Sequence, residues 1–247
     1  MRKLATIAIL FAVAVAISGC IQYGAPRHDT PEQPEGFQSQ FSITEQNIRT
    51  PHFVNSVPAH GEVWATTPKE VLINFNFDVR PPSDITVARG GTDVTTGDIV
   101  IANDSLSMRV PIRSFGDGEY VVNYHACWPD RTCHDGSFSF VVDSAFRSQM
   151  LDLTGQSAVE INMSELSFNP RYVRVSQGTK VTWSNREGVE HFVNTDPHPT
   201  HNYITGINSR GLFEGNSFEY TFNEAGEVHY HCSAHEDIGM DAIILVE

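Results

Sequence analysis

Nine residues near the C-terminus, Cys232 to Met240, place a thiolate, an imidazole and a thioether at spacings of three and five. The segment is boxed in. A strand expected over 227–231 ends at Cys232, and the apolar run Ala242–Val246 starts the next strand. Three donors of different softness therefore share one tight loop at the end of a sheet. A fourth donor, His191, lies 41 residues before Cys232. Few folds bring a distant strand end to such a loop, and this requirement constrains the chain more than its composition does.

Two imidazoles, one thiolate and one weak axial thioether form a ligand set suited to copper in electron transfer. Thiolate and thioether suit Cu(I), while imidazole suits both oxidation states. The expected cofactor is one type 1 copper ion held by His191, Cys232 and His235, with the Met240 thioether as the weak axial donor. A dinuclear centre is disfavoured, because it needs two cysteines in this loop and there is one.

The rest of the chain of 247 residues reads as exported and all-β. Arg2 and Lys3 precede an apolar stretch from Leu4 to Ile17, shorter than the roughly 20 residues of a membrane span. Ile17-Ser18-Gly19-Cys20 resembles a prokaryotic lipobox, which makes residues 1–20 a signal and Cys20 the lipidation site. An ordinary secretory signal that ends in cysteine is the alternative. Either route leads to a compartment that permits disulfides. Residues 21–50, rich in Pro, Gln, Glu, Ser and Thr, are expected to be a flexible tether.

Residues 51–143 alternate at period two, as in Val71, Ile73, Phe75 and Phe77, with turn signals at Gly90-Gly91 and Asp117-Gly118. Residues 144–156 form a linker in which Phe146, Met150 and Leu151 are expected to pack. Strands return over 157–247, at Val159–Met163, Lys180–Trp183 and Ser217–Phe222. The fold class expected is two tandem Greek-key β-sandwiches. Cys127 and Cys133, six apart, are either a loop-closing disulfide or a pair of thiolate ligands.

The formal net charge is −14. Residues 51–143 carry 6 basic and 12 acidic side chains, and residues 158–247 carry 5 and 13. Nucleic acid is excluded as a charge-driven partner, as is docking of either half on anionic lipid. The expected membrane contact is the lipid anchor alone.

The arrangement C-x-x-H-x-x-x-x-M before a terminal apolar strand resembles the plastocyanin-type cupredoxins. So do Phe168-Asn169-Pro170, the run Gly178–Asn185, and Val189-Glu190-His191. The resemblance implies a Greek-key sandwich with copper at one end. It departs from many relatives at Glu190, where they have proline, and at Phe192, where they have a small polar residue that ties the ligand loops together. Four further histidines, His198, His201, His229 and His231, crowd this half. They read as solvated side chains on a loop and an outer face, or as donors to a second ion.

The first half resembles the periplasmic copper-resistance protein C family in Pro51-His52-Phe53, in Val57-Pro58-Ala59-His60-Gly61 and in Gly118–Tyr124. That resemblance implies a β-sandwich and a second site for Cu(II) at His52 and His134. The Asp-Gly-His motif of that family reads here as Asp130-Arg131-Thr132-Cys133-His134-Asp135-Gly136. A scaffold without its metal is the other reading.

Together these readings describe a lipid-anchored, extracytoplasmic electron carrier at the outer face of the cytoplasmic membrane or in the periplasm. Its redox partner is expected to be basic, drawn by Glu190, Glu236 and Asp237. A copper-binding or delivery protein in homeostasis or resistance is the alternative. No organic substrate is evident and enzymatic activity is not expected. Multicopper oxidases need His-x-His pairs from a partner domain, and the first half has none.

Overall fold

A computed structural model describes residues 39–44 and 47–247. The signal, the lipobox with Cys20 and most of the expected tether lie outside the described residues. The described residues belong to one compact unit. Among the described residues the backbone is built of strands and two short 3-10 turns, Ser144–Gln149 and Glu236–Ile238.

The first sandwich has two sheets. One orders the strands Phe53–Val57, Glu70–Phe75, Ser107–Pro111 and Val100–Ile101. The other orders Val63–Trp64, Cys133–Val142, Gly118–Cys127, Arg80–Arg89 and Thr92–Asp93. Val71, Ile73, Tyr120, Val122, Phe138 and Phe140 fill the space between them. Cys127 and Cys133 face each other at the end of the hairpin and are joined by a disulfide.

The second sandwich pairs Ser167–Asn169, Ala158–Ser164, Thr179–Asn185 and Ser217–Phe222 in one sheet. The facing sheet orders Leu151–Asp152, Tyr172–Val175, Asp241–Val246, Gly226–His231 and Asn194–Thr195. Trp183 and Tyr230 meet edge to face across its core, with ring centroids 5.6 Å apart.

Strict alternation fails where it was expected to be cleanest. In Glu70–Phe75 every residue after the first is buried, and the same holds in Gly226–His231 and Asp241–Val246. The cause is a second burial event. Val71 and Ile73 face their own core, whereas Leu72 packs with Val57, Trp64 and Tyr203. Ile243 and Leu245 likewise leave their own core to pack with Ala65 and Met150. The two sandwiches thus cover each other's outer faces. Phe77 does not extend the buried strand; it lies beyond it and is half-exposed.

The linker and the described residues before Pro51 make specific contacts. Met150 is buried in the junction, Phe146 packs beside it, and Leu151 is exposed, contrary to its expected packing. Leu151 instead contributes backbone pairing to Val173. Ile48 exchanges two backbone hydrogen bonds with Ser137, and Thr44 donates to Glu119. The segment before Pro51 therefore lies along the first sandwich at those points.

One buried charge sits in the junction. His229 places Nδ1 2.6 Å from Glu62 and Nε2 2.9 Å from Glu227. Both ring nitrogens face carboxylate oxygens, so both carry protons and the ring is an imidazolium. Trp64 stacks on it with centroids 4.2 Å apart, adding a cation–π contact. Burial disfavours the charge, but Glu62 and Glu227 raise the His229 pKa well above the ordinary 6.5. Burial also opposes ionisation of Glu62, yet the charge and hydrogen bond of His229 hold its pKa below 4.5. The group with the raised pKa stabilises fully below pH 6.5 and loses its effect as pH climbs through its folded value. The group with the lowered pKa stabilises above pH 4.5 and loses its effect as pH drops through its folded value. The pair is therefore whole from pH 4.5 to 6.5. His229→Gln leaves two buried carboxylates without their cation and is expected to cost about 3–5 kcal/mol at pH 6. Urea unfolding over a pH series should also show that the variant lacks the wild-type loss of stability towards alkaline pH.

Candidate metal centre

The strand Gly226–His231 delivers Cys232 to the end of the second sandwich, buried beside Met240 in the same core. The loop that follows closes on itself. The Cys232 carbonyl accepts from His235 N–H at 2.9 Å, and the His235 carbonyl accepts from Met240 N–H at 3.1 Å. Cys232 N–H donates in turn to the Met240 carbonyl at 2.9 Å. Gly239, at φ 82°, makes the left-handed turn that returns the chain to the sheet. A side chain at that φ would be strained, so the position favours glycine.

His191 arrives from the other side through a backbone bridge to Leu212. Its Nδ1 lies 3.6 Å from Cys232 Sγ, and His235 Nδ1 lies 3.3 Å from the same sulfur. A sulfur and a nitrogen bound to one ion at about 2.3 and 2.0 Å are roughly 3.5–3.7 Å apart. The donor atoms are thus spaced as a shared ion requires, and their chemistry suits copper. Met240 is buried, 1% exposed, with its backbone held against Cys232.

Surrounding groups fix these rings. His191 Nε2 lies 2.7 Å from Glu187 Oε1, which leaves Nδ1 free to face the sulfur. Glu187 also accepts the N–H groups of Glu165 and Leu166. Burial pushes its pKa up, but these hydrogen bonds and His191 hold it below the usual carboxylate value. Burial raises the Cys232 thiol, against backbone N–H groups led by that of Phe192, and the Glu190 charge adds to the rise. Burial and then the neighbouring His191 lower the His235 pKa.

The tie between the ligand loops, missing at Phe192 in the sequence, is present in another form. Phe192 N–H donates to Cys232 Sγ at 3.3 Å. Asn194 Nδ2 donates to Ser233 Oγ at 2.6 Å and crosses from one loop to the other. Neither Glu187, Asn194 nor Ser233 was found by motif.

His52 hydrogen-bonds Asn76 and stacks on Phe77, and among the described residues neither His52 nor His134 belongs to a group of three convergent donors. One expectation is corrected. His229 and His231 are not solvated on an outer face; they are 7% and 1% exposed, His229 under Glu62 and Trp64 of the first sandwich and His231 against the loop that carries Asp196, His198 and His201. His231 Nδ1 pairs with Asp196 Oδ1 at 2.6 Å, and His198 and His201 gather at its other nitrogen. Burial, then the charges of His231 and His198, lower the His201 pKa to about 4.

Family models match the chain in two places, a CopC domain over residues 53–143 and the copper binding proteins of the plastocyanin/azurin family over residues 155–247. The chain is a CopC domain followed by a plastocyanin/azurin-family copper-binding domain. It is 31% identical to halocyanin of Natronomonas pharaonis over 41% of this chain and 64% of that protein. It is 27% identical to amicyanin of Paracoccus denitrificans over 32% of this chain and 58% of that protein. The chain thus spans about three-fifths of the length of these curated relatives. The crystal structure of CopC from Methylosinus trichosporium OB3b aligns with 38% of this chain and 94% of that one, at 24% identity and a TM-score of 0.35.

Asn185 offers a direct test of how the plastocyanin-type domain fixes His191. It is fully buried; its Nδ2 donates to the carbonyls of Val189 at 2.6 Å and Leu212 at 2.8 Å, and its Oδ1 accepts from Glu187 N–H at 2.9 Å. Asn185→Ala strands these groups and is expected to cost the metal-free protein about 1–3 kcal/mol in urea unfolding.

Proposed function

We propose that His191, Cys232, His235 and Met240 hold one type 1 copper ion, and that the chain is an exported electron carrier anchored by lipid at Cys20. The carrying observation is the convergence of His191 Nδ1 and His235 Nδ1 on the sulfur of Cys232, at 3.6 and 3.3 Å. When bound, copper supplies a one-electron couple. The chain's own part is to keep the donors from moving. Cys232 and His191 are buried to 0% exposure, and His191 is braced by Glu187. Ligands held this rigidly keep reorganisation small during electron transfer, and they also disfavour release of the ion. That rigidity favours a carrier over a delivery protein, since delivery requires the ion to leave.

The protein surface around the ligand loops supports docking. Val189, Phe213 and Ile238 are exposed apolar residues on these loops, and Glu236 and Asp237 stand exposed beside them. An apolar centre with acidic neighbours suits a basic redox protein. The CopC domain favours the second reading, a role in copper homeostasis, but among the described residues neither His52 nor His134 belongs to a group of three convergent donors.

Loading the full chain with Cu(II) is expected to give an intense blue absorption band that Cys232→Ser abolishes. Absence of the band in the loaded wild-type chain overturns the carrier reading. Rates of electron exchange with a small basic redox protein should fall as ionic strength rises; rates indifferent to salt overturn the partner assignment.

A further inference from the structure

We propose that His198, His201 and His231 form a second, mononuclear metal site that takes Cu(II) through three imidazole nitrogens. His231 Nε2 lies 3.3 Å from His198 Nδ1 and 3.1 Å from His201 Nε2, and the last two are 3.3 Å apart. The three atoms make a nearly equilateral triangle. Nitrogens bound to one ion at about 2.0–2.1 Å in a tetrahedral arrangement are roughly 3.3–3.4 Å apart. The triangle therefore has the edge length of one face of a coordination sphere, with the fourth position open.

Proton placement argues the same way. The Asp196 carboxylate accepts from His231 Nδ1 at 2.6 Å, which fixes the proton there and aims the bare Nε2 into the triangle. A carboxylate behind a ligating imidazole is the usual brace of a metal-bound histidine. One proton on His201 or His198 cannot satisfy all three facing nitrogens. A cation at their centre does.

The rings are held before any ion arrives. His231 is on a strand and 1% exposed. The loop carrying the other two is pinned to the first sandwich: Asn55 Nδ2 donates to the His198 carbonyl at 2.7 Å, and Asn74 and Asn202 exchange hydrogen bonds at 3.1 and 2.7 Å. Arg109 donates to the Asn202 carbonyl. His201 sits at φ 47°, a left-handed conformation that costs a non-glycine residue about 1–3 kcal/mol and persists only where the surroundings impose it. A cleft of about 380 Å³, lined by His198, His231, Asn55, His60 and Glu62, gives access. Imidazole donors suit both zinc and copper, and the general order of affinities places Cu(II) above Zn(II).

The site stands apart from Cys232 in its ligands but adjoins it in the chain. On the reading of Cys232 given above, the segment His231–Cys232 links the two ions through covalent bonds.

The test uses the full chain carrying Cys232→Ser and His235→Ala, which dismantles the first site and leaves the three histidines. Equilibrium dialysis with Cu(II) is expected to find one ion per chain, with an electron paramagnetic resonance signal showing nitrogen ligation and no intense blue band. Adding His198→Ala and His201→Asn, the latter chosen because asparagine tolerates the left-handed φ, should abolish binding while the circular dichroism of the metal-free protein is kept. Asp196→Asn should weaken binding about 10–100-fold. In the chain with Cys232 and His235 intact, the two histidine substitutions should lower the copper count by one and leave any blue band in place. An ion retained by the His198/His201 variant in the Cys232→Ser, His235→Ala background overturns the proposal. So does failure of the folded Cys232→Ser, His235→Ala chain to bind Cu(II). Neither result bears on the blue band, which separates failure here from failure of the carrier reading.

Discussion

The imidazolium of His229, held between Glu62 and Glu227 under the ring of Trp64, is the interaction on which the junction turns. It draws one partner from each sandwich onto a single buried ring. Buried charge is expensive, and here the cost is offset only because both carboxylates bond the same ring. Apolar contacts alone would let the two sheets slide, since Leu72, Ala65, Met150 and Ile243 offer area without direction. The ring sets the register. Thr66 N–H, bonded to Glu227 at 2.9 Å, extends that fixed geometry into the loop after Trp64.

One strand then serves two chemistries through its pleat. Successive residues of Gly226–His231 point to opposite faces. Val228, Tyr230 and, one step further, Cys232 enter the core of the plastocyanin-type domain. Glu227, His229 and His231 face the CopC domain or the loop pressed against it. The same backbone therefore presents a sulfur to His191 and His235 on one side and an imidazole to His198 and His201 on the other. Ser233 continues the connection, bonded to Asn194 and 3.0 Å from His201 Nε2.

What could be read in the sequence was local. Cys232, His235 and Met240 share one loop, so their spacing alone announces a ligand set. His191 needed only a histidine at the end of a strand-like run. What escaped reading depended on contacts between distant segments. Burial of Leu72, Asn74 and His229 on outward faces comes from one sandwich covering the other, and that of His231 from the loop that carries Asp196, His198 and His201; no periodicity within either half encodes that. The expectation that His229 and His231 were solvated failed for these reasons. Glu187, Asn194 and Asn185 were missed because each acts on a ligand loop through a hydrogen bond, and polar residues in loops carry no distinguishing pattern. The pairing of His52 with His134 rests on resemblance alone; the ring of His52 stacks on Phe77.

The CopC domain is therefore tied into the copper-binding half whatever becomes of its own histidines. The loop from Asp196 to Asn202 contains two prolines and two histidines and has little apolar content of its own to bury. Left alone, such a segment would sample many conformations, at a cost of roughly 1–2 kcal/mol per residue to order. Asn55, Asn74 and Arg109 of the CopC domain meet it at three points and offset part of that cost. Glu70 pairs with Arg109 behind them, so the guanidinium is held by its own sheet while it reaches the loop. The conformation of His198 and His201 is thus a property of two domains together. A cupredoxin sandwich with the same loop but no neighbour would keep Cys232, His191 and His235 in place and lose the arrangement around His231.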